Sequence, residues 1–313
     1  MYKGIGPHAI EYMLIALPPP QLLEISGADA LAFAQAQFSS DISTLETGCW
    51  QWSAWLNAQG RVRAFFHLLR IGDDKFWLLL RGGEAQRLRD ALGRYVLRAK
   101  VALRVVDGLH AYMIGDSHAL PVAIPAHQQF TSDAVNTCLL PSGMSHRWLL
   151  LRAADAPKLP FETDDSDDIR NYAALADIDA SLVWLDAALE EKLLPQWLGL
   201  DALGATSVRK GCYPGQEIIA RLHFKGGVKR GLFRLGYRTA ILPAAGEIVR
   251  IGEATGDEAG LVVSAAWREP GLATALAVLP HAEPDPAAAL SIDQRRVETI
   301  ERATSSAHTT QIE

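Results

Sequence analysis

The chain has 313 residues, enough for two or three domains rather than one core. Hydrophobic residues make up 49% and charged residues 21%, an ordinary globular balance, and the formal charge of −6 argues against nucleic-acid binding by the molecule as a whole. No apolar run reaches the ~20 residues of a membrane-spanning helix. No signal peptide is apparent, and Cys49, Cys138 and Cys212 are too dispersed for a disulfide framework or zinc ribbon, which points to a reducing, cytoplasmic setting.

In chain order, residues 1–20 end in Pro18-Pro19-Pro20 and predict a stiff extended entry. Leu22 to Ile25 reads as a strand. Ser26 is then a plausible N-cap for a helix with Leu31, Ala34 and Phe38 on one face, ending near Ser39-Ser40-Asp41. Trp50 to Leu56 alternates as a strand, with Trp50, Trp52 and Ala54 on one side. The turn Asn57-Ala58-Gln59-Gly60 leads to a strand over Arg61 to Ile71, and a second turn leads to a strand over Lys75 to Leu80. A helix from about Gly83 places Leu88, Leu92, Tyr95 and Val96 at helical spacing, and Val101 to Val106 returns as a strand.

Strands over Ala111 to Ile114 and Arg147 to Leu151 flank proline- and glycine-punctuated loops. The acidic run Asp164-Asp165-Ser166-Asp167-Asp168 reads as a solvated helix entry, not a metal site, because no histidine or spaced acidic loop accompanies it. A helix over Ile169 to Ile178 follows. After Arg230 come short strand candidates at Gly231 to Tyr237, Glu247 to Ile251, Gly260 to Trp267 and Leu272 to Leu279, the texture of a small β-barrel or sandwich. Gln294 to Glu301 reads as an edge element and Thr304 to Glu313 as a frayed tail. Hairpin-connected strands mixed with helices predict an α+β fold, not a doubly wound parallel sheet.

The stretch with most chemical content is Lys210-Gly211-Cys212-Tyr213-Pro214-Gly215-Gln216-Glu217. Pro214 and Gly215 suit the two central positions of a type II turn, and Glu217 suits the first turn of a helix. Cys212 thus lies near a helix N-terminus with Lys210 close by, two influences that favour a thiolate. Cys49 and Cys138 sit among apolar or small residues and read as structural. Arg209, Lys210, Arg221, His223, Lys225, Lys229 and Arg230 fall within twenty-two residues opposed by Glu217 alone, which is either a solvated surface or an anion site. Trp50, Trp52 and Trp55 read as sheet core before they read as a stacking platform.

Residues 210–221, K-G-C-Y-P-G-Q-E-I-I-A-R, resemble the signature of the YgfZ family of folate-binding proteins, related to the aminomethyltransferase of the glycine cleavage system. Gln35 to Asp41, Leu56 to Val62 and Leu194-Pro195-Gln196 resemble further family segments, so the likeness runs over roughly residues 21 to 235. It implies a three-domain ring: a discontinuous α+β domain over 1–48 and 108–228, an inserted α+β domain over 49–107, and a C-terminal β-barrel over 229–313. It implies tetrahydrofolate in a central cavity near Tyr172 and Asp179, with Arg221 and the basic cluster towards the glutamate tail. Cys212 takes the place of the family's cysteine, and Lys210, Gly211, Tyr213, Gly215, Gln216, Glu217 and Arg221 match the rest of the motif. The implied role is that of an accessory protein for assembly or repair of iron–sulfur client proteins, including tRNA-modifying enzymes. Cys212 would serve a transient iron–sulfur cluster, a sulfur exchange or a one-carbon unit. The alternative is a folate-dependent one-carbon transferase, and the net acidity argues against direct RNA binding. Where the family reads R-I-E-A-G, this chain reads Asp177-Ile178-Asp179-Ala180-Ser181.

Overall fold

The structure, a computed structural model, describes residues 14–114, 129–132, 138–141, 148–153, 155, 163–164, 166–252, 255–281 and 289–303. The tail over 304–313, most of the predicted extended entry and Asp165 of the acidic run lie outside the described residues.

The elements run β1 (Leu14–Ala16), β2 (Leu22–Ser26), α1 (Ala30–Gln37), β3 (Trp50–Leu56), β4 (Val62–Gly72), β5 (Lys75–Leu80), α2 (Ala85–Gly93), β6 (Ala102–Val105) and β7 (Leu109–Ile114). There follow β8 (Thr131–Ser132), β9 (Cys138–Pro141), β10 (Trp148–Ala153), β11 (Thr163–Asp164), α3 (Asp167–Asp179) and α4 (Gln216–Lys225). The chain closes with β12 (Arg230–Arg238), β13 (Ile248–Ile251), β14 (Glu258–Glu269), β15 (Leu272–Pro280), β16 (Leu290–Ile292), β17 (Arg295–Arg296) and β18 (Thr299–Arg302).

Three sheets organise these elements. The first is antiparallel in the order β3-β4-β5-β2-β6. The period-2 pattern of β3 works as read from the sequence. Trp50, Trp52 and Ala54 enter a core shared with the other two sheets, while Trp55 packs on the opposite face with Phe38, Phe66 and the apolar sides of α1 and α2. All three tryptophans are buried, and each such ring removed from water is worth about 2–3 kcal/mol. β2 precedes residue 48, yet it lies between β5 and β6 of the sheet otherwise built from 49–107.

The second sheet, β11-β1-β7-β10-β9-β8, has one parallel pair, β1 with β11. The third is a seven-stranded antiparallel sheet, β17-β16-β13-β14-β15-β12-β18, curled into a half-barrel around its own core of Leu235, Tyr237, Val249 and Ile292. The fold is therefore mixed, with antiparallel sheets and few helices.

Two local expectations are corrected. Ser26 ends β2, and the N-cap of α1 is Asp29, whose carboxylate accepts from the Lys100 backbone N–H at 2.7 Å rather than from its own helix. Helix α2 stops at Gly93, whose backbone entropy weakens helix propagation, so Tyr95 falls outside it and is 45% exposed.

Candidate functional site

The signature loop is a junction between distant segments. Gly215 has φ 79° and ψ 0°, and the Gln216 N–H donates to Tyr213 O at 3.2 Å, as in the expected type II turn. A Cβ on Gly215 would lie 2.6 Å from both Asn57 O and Gly60 Cα, so glycine is required for the loop to touch the 57–60 turn. Gly60, itself at φ 74°, faces the Ile218 side chain in turn.

Lys210 is 6% exposed. Its ammonium donates to Phe38 O at 2.6 Å and Ser40 O at 2.8 Å and lies 5.1 Å from the Tyr213 ring centroid. Burial lowers its pKa to about 8, partly offset by Asp41. Lys210 has a structural role, because its charge is committed to backbone carbonyls at the end of α1. Asp41 is itself held below the usual carboxylate range, chiefly by the Ser43 hydroxyl.

The rest of the loop is braced similarly. Tyr213 is buried, its hydroxyl donates to Ser207 O at 2.9 Å, and burial pushes its pKa up to about 12. The Gln216 amide donates to Lys210 O at 3.2 Å. Ser39 adds a further tie, donating its hydroxyl to Ala205 O at 2.7 Å while its carbonyl accepts from the Ser207 N–H at 2.8 Å. Leu193 O accepts from Val62 N at 2.9 Å. The four stretches that carry the family resemblance thus meet in space.

Cys212 projects from this junction and is exposed. Cys138 is buried, which pushes its thiol up to about 12, and Cys49 is half-buried and raised by burial and by Glu46. Glu217 and Arg221 are exposed on α4, together with His223, Phe224 and Lys225. Among the described residues no group of three or more His, Cys, Asp or Glu side chains is placed to hold a metal ion. Cys212 therefore has, among the described residues, no companion side chains that would complete a ligand set for an iron–sulfur cluster.

A separate cavity of about 300 Å³ opens where the three sheets approach one another. Its walls are Leu79 and Leu80 of β5, Ala111 and Met113 of β7, Leu149 and Leu151 of β10, and Ala173 and Ala174 of α3, closed by Pro18 to Gln21 and by Ser264 of β14. Such a volume sits at the lower end of the ~300–1,000 Å³ usual for small-ligand sites.

Its polar groups are few. Arg81 and Asp177 form an ion pair at 2.6 Å with side chains only 11% and 18% exposed, and Trp184 lies 5.0 Å from the Arg81 guanidinium while remaining half open to solvent. His67 is fully buried with its ring 3.9 Å from that of Trp52. Arg170 lines the rim and pairs with Asp167 at 2.7 Å.

Helical phase decides which α3 residues reach the cavity. Asp177 and Asp179 are two positions apart, hence ~200° around the helix. Asp177 faces the cavity, while Asp179 turns to Arg268 at 2.5 Å and does not line it. Tyr172 packs against Ile15, Met113 and Ile169 and does not line it either. Nor do Cys212, Arg221 or any other residue of the 210–221 motif. Arg81, Asp177, Trp184 and His67 were missed as site residues. Asp177 alone had left a signal, as an acid where the family carries arginine. Ser181, in place of the family glycine, is buried with φ 56°, a left-handed conformation that glycine adopts without strain.

No family model matches the chain. It is 28% identical over 261 residues to an uncharacterized protein of Haemophilus influenzae, covering 83% of this chain and 82% of that protein. Its fold is similar to that of the glycine cleavage system aminomethyltransferase T from Bartonella henselae, with a TM-score of 0.73 at 14% identity, covering 96% of this chain and 88% of the other. At that identity the likeness establishes a shared fold.

Proposed function

We propose that the chain binds a tetrahydrofolate-type ligand in the cavity between the three sheets and acts as an accessory protein for iron–sulfur proteins, with Cys212 as its exposed functional thiol. The observation that carries the first part is the composition of the cavity: apolar walls, one buried Arg81–Asp177 pair and an aromatic mouth at Trp184. A flat heteroaromatic ring with one polar edge fits that arrangement, since its faces meet Leu, Ala and Trp while its edge meets charge. The resemblance over 210–221 and the fold shared with an aminomethyltransferase support the same reading. Arg81, Asp177 and Trp184 would hold the ligand. When bound, the reduced pterin would supply a carrier for a one-carbon unit.

Titration with tetrahydrofolate, followed by tryptophan fluorescence at Trp184, should give saturable quenching. Its absence up to millimolar ligand would remove the folate reading. Cys212→Ser should leave the melting temperature unchanged because the side chain is exposed, yet lose the support of iron–sulfur enzyme activity in cells lacking the wild-type protein. Full complementation by that variant would show the thiol to be dispensable.

A further inference from the structure

The buried Arg81–Asp177 ion pair of the cavity has the form of a reader for one edge of the ligand. Arg81 presents a planar fork of donors and Asp177 an acceptor carboxylate beside it, joined at 2.6 Å. Both are held in place. The Arg81 backbone N–H donates to Phe65 O at 2.8 Å and its carbonyl accepts from the Leu185 N–H at 2.7 Å, while Trp184 lies over the guanidinium. Asp177 rides on α3, which is fastened to β14 by the Asn171 amide, bonded to both Trp267 O at 2.8 Å and Trp267 N at 2.7 Å.

Resting on the folate reading above, we propose that the Arg81–Asp177 pair recognises the 2-amino-4-oxo edge of a pteridine and rejects the 4-amino counterpart. The 4-oxo group is an acceptor and suits the arginine. The adjacent N3–H and 2-amino group are donors and suit the carboxylate. Exchanging the 4-oxo group for an amine turns a donor towards the guanidinium, and N3 becomes an acceptor facing the carboxylate. Most of the surrounding wall is Leu, Ala and Met and offers no hydrogen bond, while Gln21, His67, Arg170 and Ser264 supply the rest of the polar lining. A mismatch left unsatisfied in such a site weakens binding by roughly 10- to 100-fold. Asp179 is not the reader, because its carboxylate is directed away to Arg268.

Folate and aminopterin differ at C4 in this respect alone and serve as the probe pair, with affinities read from tryptophan quenching of the full chain. The wild type should bind folate at least about tenfold more tightly than aminopterin. The double variant Arg81→Met/Asp177→Leu, which removes both charges together, should bind the two compounds with equal, weakened affinity. Equal affinities in the wild type, or tighter aminopterin binding, would overturn the edge recognition while leaving a pteridine site standing. Failure of both compounds to bind a chain that still gives saturable quenching with tetrahydrofolate would overturn this inference alone, and failure of tetrahydrofolate as well would overturn the folate reading with it. Should the double variant fail to fold by thermal melting, the wild-type comparison still decides.

Discussion

Lys210 illustrates how one buried charge can serve architecture. Its ammonium satisfies two carbonyls at the end of α1, so Lys210→Met strands both and should lower stability by about 2–3 kcal/mol, measurable by urea unfolding. The pH dependence has a definite sign. The folded-state pKa is about 8 against an ordinary 10.5, so between these values the unfolded chain holds more protons than the native one. Wild-type stability should therefore rise from pH 8 towards 10 relative to Lys210→Met, whose difference from the wild type is flat below pH 8. A difference that is flat through pH 8–10, or that falls there, would contradict the buried environment assigned to Lys210. The sequence showed that a lysine stands beside the cysteine. It could not show where the ammonium goes, because the accepting carbonyls lie about 170 residues earlier in the chain.

Among the elements, the turn into α4 and the phase of α3 carry the consequences. Gly215 is left-handed and lies against Asn57 and Gly60 with no room for a methyl group. Gly215→Ala should cost more than about 2 kcal/mol and loosen the junction of the four family-like stretches, visible as faster amide exchange at 57–62 and 210–216. Unchanged stability would show that the contact is not required. The Pro-Gly turn was legible from local chemistry, and the alternation of β3 was legible from its period. The cavity-facing side of α3 was not. Tyr172 and Asp179 are chemically plausible ligand residues, but only the docking of α3 on β14 and β1 rotates Asp177 inward and turns the other two elsewhere.

For the whole molecule, three sheets that contact one another through a common core leave a cavity where they approach, walled by segments from Leu17 to Ser264. No local pattern announces such a site, since each wall residue reads as ordinary core until the sheets are placed. The antiparallel, mixed character of the fold was readable from hairpins and turn signals. The membership of β2 in the sheet of β3 to β6 depends on long-range pairing and was not. The ligand cavity and the braced loop that displays Cys212, which the family resemblance joins, are two separate regions. The most direct test of the cavity assignment is calorimetric titration of tetrahydrofolate into the wild type and into Ala174→Phe, which fills the cavity from α3 while leaving the 210–221 loop untouched. Saturable binding to the wild type, weakened at least about tenfold in a variant that still melts cooperatively, is the predicted result. Equal binding to both proteins would place the ligand elsewhere and contradict the assignment.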